Sequence, residues 1–246
     1  MKGKIRIGIS DGHMPGKKST FPPEFQLRSR LHYYSTLFNT IEVNSCFYKT
    51  PQRSTYEKWA ADVPEDFQFT LKLTREVTHV QDLKGDLSCM DHFLEMAGGT
   101  GKKKGCLLIQ FPGKINLEHF NQVESILQKL REHDPSNEWR TAIEFRNDSW
   151  YVGETIELLD EYDATVVLHD FSKAKFLTHV GNADFMYLRF HGPTGNYRDS
   201  YSNHAIEAKA EMIKEFSSSG RDVYVYFNNT AGNAFENARY LQERVR

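Results

Sequence analysis

Several absences narrow the function classes open to this chain of 246 residues. Its three cysteines include no CxxC pair and no metal-ligand spacing, so reduced thiols in a cytosolic protein are the simplest interpretation. No apolar run approaches the roughly 20 residues that a membrane-spanning helix requires. A strand-like run begins at Ile5, which leaves no room for a signal peptide before it. We therefore expect a cytoplasmic protein that does not associate with membranes.

The sequence also lacks an excess of one charge sign and a dinucleotide-binding motif. The formal net charge is −2 at pH 7, with an isoelectric point of about 6.6. A balance of this kind carries no electrostatic signature for binding nucleic acid or a membrane surface over a large area. The segment after the first strand reads GISDGHMPG, which is not the GxGxxG turn of dinucleotide-binding proteins. The sequence therefore identifies no nucleotide cofactor, and the cofactor stays open.

Short runs of apolar, aromatic and β-branched residues recur along the whole chain, and each predicts a β-strand. The eight predicted strands cover residues 5–10, 40–44, 68–74, 105–111, 140–146, 165–170, 185–191 and 222–229. Segments with helical spacing of apolar residues separate most of them, at 27–38, 55–62, 87–96, 117–131, 152–162, 204–216 and 231–244. Residues 172–179 predict a loop with a short turn.

This alternation of strand and helix predicts parallel strands joined by crossover helices. Eight such units in this length match a (β/α)8 TIM-like barrel, and we expect residues 1–246 to form it as a single domain. An open doubly wound sheet is the alternative, although the chain lacks the glycine-rich turn expected there. The longest irregular stretch, residues 11–26, follows the first strand, where a long loop belongs to the active face and is expected to act as a lid.

Strand parity assigns side chains to the two faces of the predicted sheet. In the second strand, Ile41 and Val43 take one face while Glu42 and Asn44 take the other. The apolar set must face the covering helices, which turns the polar set into the barrel. Because parallel strands end at one rim, their final polar residues should converge there. These residues are Glu42, Lys72, Gln110, Glu144, Asp170, His191 and Asn228. A buried ion network that only closes the barrel is the alternative explanation.

This rim predicts an enzyme that uses acid/base chemistry on a small polar substrate, which we expect to be anionic. We predict Glu144 or Glu42 as the base and His191 as its partner, with positive charge from Lys72. The predicted catalytic residues are Glu42, Glu144, His191 and Lys72. The predicted substrate-binding residues are Asn44, Tyr48, Gln110, Arg146, Asp170, Arg189, Tyr226 and Asn228.

Other chemistries use the same residues and are less favoured. Glu42, Glu144, Asp170 and His191 offer ligands to a divalent metal, but Lys72, Arg146 and Arg189 enter the same space and no HExxH motif is present. A glycosidase pair of Glu42 and Glu144 fits poorly, because common barrel glycosidases place their acid and nucleophile on strands four and seven. A Schiff base on Lys72 is a minor option. A non-catalytic protein that binds a nucleotide or nucleic acid at this rim is the alternative from another class.

Several segments resemble the YecE-like family, also called domain of unknown function 72. The resemblance covers nearly the whole chain in the right order and includes TIEVNSCFYKTP, FQFTLKLTREVTH, LLIQFP, AIEFRNDSW, YLRFHG and VYVYFNNTAGNAFENA. It implies a (β/α) barrel and no particular activity. The chain departs from the family after its first strand, where relatives usually carry Gly-Trp and the segment GISDGHMPGKK of this chain lacks a Trp.

Overall fold

The computed structural model describes residues 2–12, 14–170 and 181–246. Within these ranges, eight parallel strands pair in the order β1-β8-β7-β6-β5-β4-β3-β2. They are β1 (Ile5–Ile9), β2 (Thr40–Val43), β3 (Gln68–Lys72), β4 (Lys104–Gln110), β5 (Arg140–Glu144), β6 (Thr165–His169), β7 (Phe185–Phe190) and β8 (Asp222–Phe227). The predicted (β/α)8 barrel is confirmed, and each observed strand overlaps its predicted range.

Helices surround the strands and follow them along the chain. They are α1 (Arg30–Leu37), α2 (Ser45–Tyr48), α3 (Arg53–Ala61), α4 (Arg75–Thr78), α5 (Ser88–Ala97), α6 (Phe120–His133), α7 (Gly153–Glu161), α8 (Asn203–Ser218) and α9 (Ala234–Val245). Serine side chains cap two of them, since Ser29 accepts from the His32 amide and Ser202 from the Ala205 amide. No helix in the described ranges is long and apolar enough to cross a membrane. The turn predicted at 172–179 lies outside the described residues.

Two separate apolar cores flank the strands, as the alternation of side chains requires. The outer core joins residues such as Ile41, Val43 and Ile143 to the helices. The inner core fills the barrel with a second set: Cys106, Leu108, Ala142, Val167, Ala183, Phe185, Tyr187, Tyr224 and Tyr226. The predicted assignment of faces is therefore confirmed, and polar residues near the strand ends lie beyond a packed interior.

The seam between β1 and β2 closes the barrel with help from a side chain. The Tyr34 hydroxyl accepts from the Ile9 amide at 2.8 Å and donates to the Thr40 carbonyl at 2.9 Å. Beyond this tyrosine, Ser10, directly after β1, forms an isolated parallel bridge with Glu42. The position of Glu42 is consequently set by the closure of the barrel itself.

The long segment after β1 is anchored on α1. Phe21 is buried, and its ring centroid lies 4.6 Å from that of Tyr33. Arg30 donates to the Gly16 carbonyl at 2.7 Å, which ties the middle of the segment to the same helix. Met14 is buried as well. These contacts fix one side of the segment, and its role as a lid stays a prediction.

Candidate functional site

Arg189 is the centre of the polar residues at the C-terminal end of the barrel, here called the mouth. It projects inward near the end of β7 and is 1% exposed. Its Nη2 donates to Glu42 Oε1 at 2.9 Å, and its Nη1 donates to Glu144 Oε2 at 2.8 Å. Since Glu42 lies near the end of β2 and Glu144 ends β5, this one guanidinium links opposite sides of the barrel. The forked donor geometry of arginine suits such a double pairing.

Glu42 is surrounded by hydrogen-bond donors. Its carboxylate accepts from the Ser10 hydroxyl and the Tyr187 hydroxyl, each at 2.5 Å, and from Asn44 at 3.3 Å. Burial is the largest influence on the pKa of Glu42 and raises it. The charge of Arg189 and the hydrogen bonds outweigh burial, so the pKa is lowered overall. Glu42 is thus a fully engaged carboxylate that holds Arg189 in place.

Glu144 joins the same network from the other side. Its Oε1 accepts from Arg146 Nε at 2.8 Å, in addition to the bond from Arg189. Burial raises the pKa of Glu144, but Arg189, His191 and Arg146 bring it well below its ordinary value. Glu144 therefore pairs with two arginines, one on each carboxylate oxygen. Side-chain exposure of Arg146 is 19%, so this cation marks the outer edge of the network.

His191 lies between Glu144 and Asn228. Its Nε2 is 3.6 Å from Glu144 Oε2, and its Nδ1 is 3.2 Å from Asn228 Nδ2. Burial lowers the pKa of His191, and the opposing influence of Glu144 does not restore it. The imidazole is therefore neutral at physiological pH. If the Asn228 amide donates to Nδ1, the ring carries its proton on Nε2, facing Glu144.

Asp170 supports the backbone around His191. One carboxylate oxygen accepts from the His191 amide at 2.8 Å, and the other accepts from the Tyr201 hydroxyl. The same Tyr201 oxygen accepts from the Gly192 amide at 2.7 Å. Asp170 also lies 3.8 Å from Lys209 Nζ. Its oxygens are engaged with protein groups, an arrangement that favours positioning His191 over the direct substrate contact expected from the sequence.

Lys72 differs from the other cations of the mouth. Its Nζ donates to Gln110 Oε1 at 2.9 Å and lies 4.1 Å from the centroid of the Phe47 ring. No carboxylate of the described residues lies within 4.0 Å of this nitrogen. Burial and then the charge of Arg189 lower the pKa of Lys72 to about 8, although both glutamates act in the opposite direction. A substantial fraction of this amine is consequently neutral slightly above physiological pH.

His79 lies beside this lysine without joining the ion network. Its ring packs edge-on against Phe47 with 4.9 Å between centroids. Burial, followed by the charges of Lys72 and Arg146, lowers the pKa of His79 to about 4. In the described ranges, no group of three or more His, Cys, Asp or Glu side chains is arranged to hold a metal ion. Both glutamates that the sequence offers as ligands are instead bound to Arg189.

Comparison with known proteins places this barrel in a family. The model described as "Protein of unknown function DUF72" matches residues 6–246. The chain belongs to the DUF72 family. The family expected from the sequence motifs is therefore confirmed.

Relatives of this DUF72 chain share its length and its fold. UPF0759 protein YunF of Bacillus subtilis (strain 168) is 24% identical over an alignment covering 92% of this chain and 89% of its own. A DUF72 family protein from Enterococcus faecalis V583 has a TM-score of 0.80 at 23% identity, covering 98% of this chain and 97% of its own. Another, from Thermotoga maritima MSB8, has a TM-score of 0.71 at 25% identity, covering 98% of each chain. These similarities support the fold and do not indicate an activity for this chain.

Two predicted substrate contacts of the DUF72 barrel adjoin the mouth network through a neighbouring ring, Tyr48 through Phe47 and Tyr226 through Tyr187. Tyr48 is 71% exposed and packs edge-on against Phe47. Tyr226 is fully buried below the mouth, where its hydroxyl lies 2.7 Å from Thr40 Oγ1 and 2.6 Å from Thr70 Oγ1. Both expected roles stay predictions. The other predicted residues lie in the network or contact it.

Several residues of the site were missed from the sequence. Ser10 and Tyr187 point into the barrel like Glu42. The alternation of side chains in their strands predicts this direction for both residues. Phe47 lies in α2, where strand parity no longer applies. Tyr201 precedes α8 and reaches Asp170 only through the fold, so no local pattern in the sequence marks it.

Proposed function

We propose that this DUF72 protein is an enzyme that acts on a small anionic substrate at the mouth of its barrel. Lys72 and Arg146 hold the negative group of the substrate, and His191 transfers a proton. Glu42 and Glu144 keep Arg189 and the surrounding side chains in place. Free thiols at all three cysteines support the cytoplasmic location expected from the sequence.

The observation that carries this proposal is the charge of the inner network. Among the described residues it contains three cations, Lys72, Arg146 and Arg189, against two carboxylates, Glu42 and Glu144. His191 adds no charge because its pKa is lowered by burial. The uncompensated cation lies in a site mostly shielded from water, where electrostatic attraction is stronger than at an exposed surface. Such a site attracts an anion.

The proposed proton transfer follows from the protonation states. A general acid or base works best when its conjugate form is accessible near the operating pH, and imidazole meets that condition more readily than a buried ion-paired carboxylate. Glu42 already accepts bonds from Ser10, Tyr187 and Arg189. It is thus a weaker candidate base than the sequence indicated. Glu144 is a weak candidate base for the same reason, since both of its oxygens already accept hydrogen bonds from arginines.

The anion part of the proposal is tested by thermal denaturation in phosphate, in sulfate and in divalent metal chlorides, each in a separate sample. Phosphate at about 100 times its dissociation constant should stabilise the protein by roughly 2.7 kcal/mol. Arg146→Gln should weaken this effect. Stabilisation by metal alone, abolished by a chelator and unaffected by phosphate, would replace the anion site with a metal site.

The catalytic part is tested by incubating the protein with pools of small phosphorylated and carboxylated compounds and following their consumption by mass spectrometry. Wild-type protein should consume at least one compound. His191→Gln should still be stabilised by phosphate but should leave that compound intact. Binding of anions without consumption of any compound would identify a binding protein instead of an enzyme.

A further inference from the structure

The environment of Lys72 goes beyond what binding an anion requires. The side chain is 9% exposed, and its nitrogen contacts a neutral amide and the face of Phe47. A buried ammonium without a carboxylate partner is unfavourable, whereas a neutral amine in the same place is not. Arginines Arg146 and Arg189 raise the positive potential further. With a pKa of about 8, Lys72 is mostly charged at pH 7 and can attract an anion, and its neutral form is much more accessible than that of an ordinary lysine.

Lys209 provides a comparison within the same molecule. Its nitrogen also lies 4.1 Å from the centroid of an aromatic ring, that of Phe190, and its side chain is 18% exposed. It differs from Lys72 in having the Asp170 carboxylate at 3.8 Å. Buried Lys72 and half-buried Lys209 therefore have the same aromatic contact, and among the described residues only Lys209 has a carboxylate within 4.0 Å. Aromatic packing alone does not explain the surroundings of Lys72.

We infer that Lys72 is a nucleophile that forms a protonated imine with a small aldehyde or ketone carrying a carboxylate or phosphate group. This inference rests on the proposed function, because it takes the anionic substrate to bind beside Arg146. The carbonyl group presents its carbon to the lysine nitrogen. The class of substrate follows from the two requirements together, an electrophilic carbonyl for the amine and a negative group for the arginine.

The step balances without an oxidant or a second substrate. The neutral amine attacks the carbonyl carbon, a carbon–nitrogen bond forms, and the carbonyl π electrons move to oxygen. A proton moves from nitrogen to that oxygen, and a second proton allows it to leave as water. The product is an iminium ion whose single positive charge replaces that of the ammonium. Glu42 and Glu144, which favour a positive charge on Lys72, favour the iminium for the same reason.

An iminium ion withdraws electrons from the neighbouring carbon. Cleavage of a carbon–carbon bond or removal of a proton next to the former carbonyl becomes easier, which is the usual purpose of a lysine imine. His191 is a neutral imidazole, and when Asn228 donates to Nδ1 that nitrogen carries no proton and is the atom that can accept one. The imine thus gives the proposed acid/base chemistry a defined reaction class.

The inference is tested by chemical trapping. Full-length protein is incubated separately with pyruvate, glyoxylate and dihydroxyacetone phosphate, reduced with sodium borohydride, and mapped by peptide mass spectrometry. At least one carbonyl compound should leave a reduced adduct on Lys72, and omission of borohydride should abolish it. Lys72→Arg, which retains the positive charge, should lose the adduct while keeping a folded thermal transition. Lys209→Arg should retain the adduct on Lys72.

The outcomes separate this inference from the proposed function. Absence of a Lys72 adduct with all three compounds, or equal labelling of surface lysines, would overturn the imine. If phosphate still stabilised the wild-type protein and not Arg146→Gln, the anion site would stand without it. If an adduct formed on Lys72 but phosphate had no effect, the imine would stand and the proposed anion site beside Arg146 would fall.

Discussion

The mouth and the base of the barrel both collect charged residues, but they balance them differently. At the base, Arg140 donates to Asp222 at 2.6 Å, to the Tyr224 hydroxyl at 3.0 Å and to Asp184 at 3.4 Å. Arg6 lies close enough to influence Asp222, so two arginines face two aspartates. Among the described residues, the inner network of the mouth has three cations and two carboxylates, and Asp170 with Lys209 forms a further pair beside it. Polar strand ends are therefore common to both rims, and the uncompensated amine distinguishes the mouth.

The two networks also differ in how far their side chains are exposed to solvent. The side chains of Asp184 and Asp222 at the base are 78% and 23% exposed, whereas Glu42 and Glu144 at the mouth are fully buried. Exposed charges are screened and can be rehydrated when a partner is lost. Buried charges cannot, so their pairing must be nearly complete for the fold to persist. The same substitution should consequently have different effects at the two ends.

Removal of the central arginine should give the largest difference. Arg189→Met leaves Glu42 buried without its cation, and we expect a loss of about 3–5 kcal/mol in the free energy of unfolding. Arg140→Met at the base is the matched control and should lose less, because its aspartates can be rehydrated. Urea denaturation of both variants measures the difference. Equal losses would mean that the two networks do not differ in burial as described.

Substitution of Glu144 should have the next largest effect. Glu144→Ala should destabilise the protein by about 1–4 kcal/mol, because Arg189 remains buried with only one carboxylate. Glu144→Gln should lose less, since its amide oxygen can still accept a hydrogen bond. The stability lost should be smaller at acid pH. The pKa of Glu144 is lowered by the fold, so its contribution is present above the unfolded pKa and disappears as pH falls through the folded pKa. Wild-type stability in both variants at neutral pH would contradict the network.

Lys72→Met should act in the opposite direction. Because the pKa of Lys72 is lowered to about 8, the folded state disfavours the charged amine. Below that pH the ammonium is present in both states, and the full penalty for burying it applies. The penalty declines as pH rises from the folded pKa to the unfolded one. We expect Lys72→Met to gain about 1–2 kcal/mol at pH 7, after allowance for the lost bond to Gln110, and to gain less at pH 10. Guanidinium denaturation at both pH values checks the gain, and destabilisation at pH 7 would refute it.

Much of the barrel could be predicted from alternation alone. Ile41 and Val43 pack outward and Glu42 inward because consecutive side chains in a strand point to opposite faces. The predicted strands were usually too long at their C-terminal ends. Residues such as Thr74 and Asn229 continue the parity pattern but lie past the paired ladder.

The depth of a side chain and its partners could not be predicted in the same way. Strand parity correctly predicts that Tyr226 faces the barrel interior. Its position along the barrel axis is set by the stagger of neighbouring strands, which places it beside Thr40. Tyr48 and Phe47 lie in a helical turn after β2, so only the turn decides which ring faces Lys72. The absence of a carboxylate near Lys72 depends on distances across the barrel, which no local pattern contains.

The most direct test of the central claim is a titration of the lysine side chains by heteronuclear NMR, with and without inorganic phosphate. Lys72 should titrate near pH 8. Burial, Arg189 and Arg146 lower its pKa, and together they outweigh Glu144 and Glu42, which raise it. Bound phosphate should raise this pKa, since a nearby anion favours the ammonium ion. A Lys72 resonance that titrates at the ordinary lysine value and does not respond to phosphate would contradict the claim.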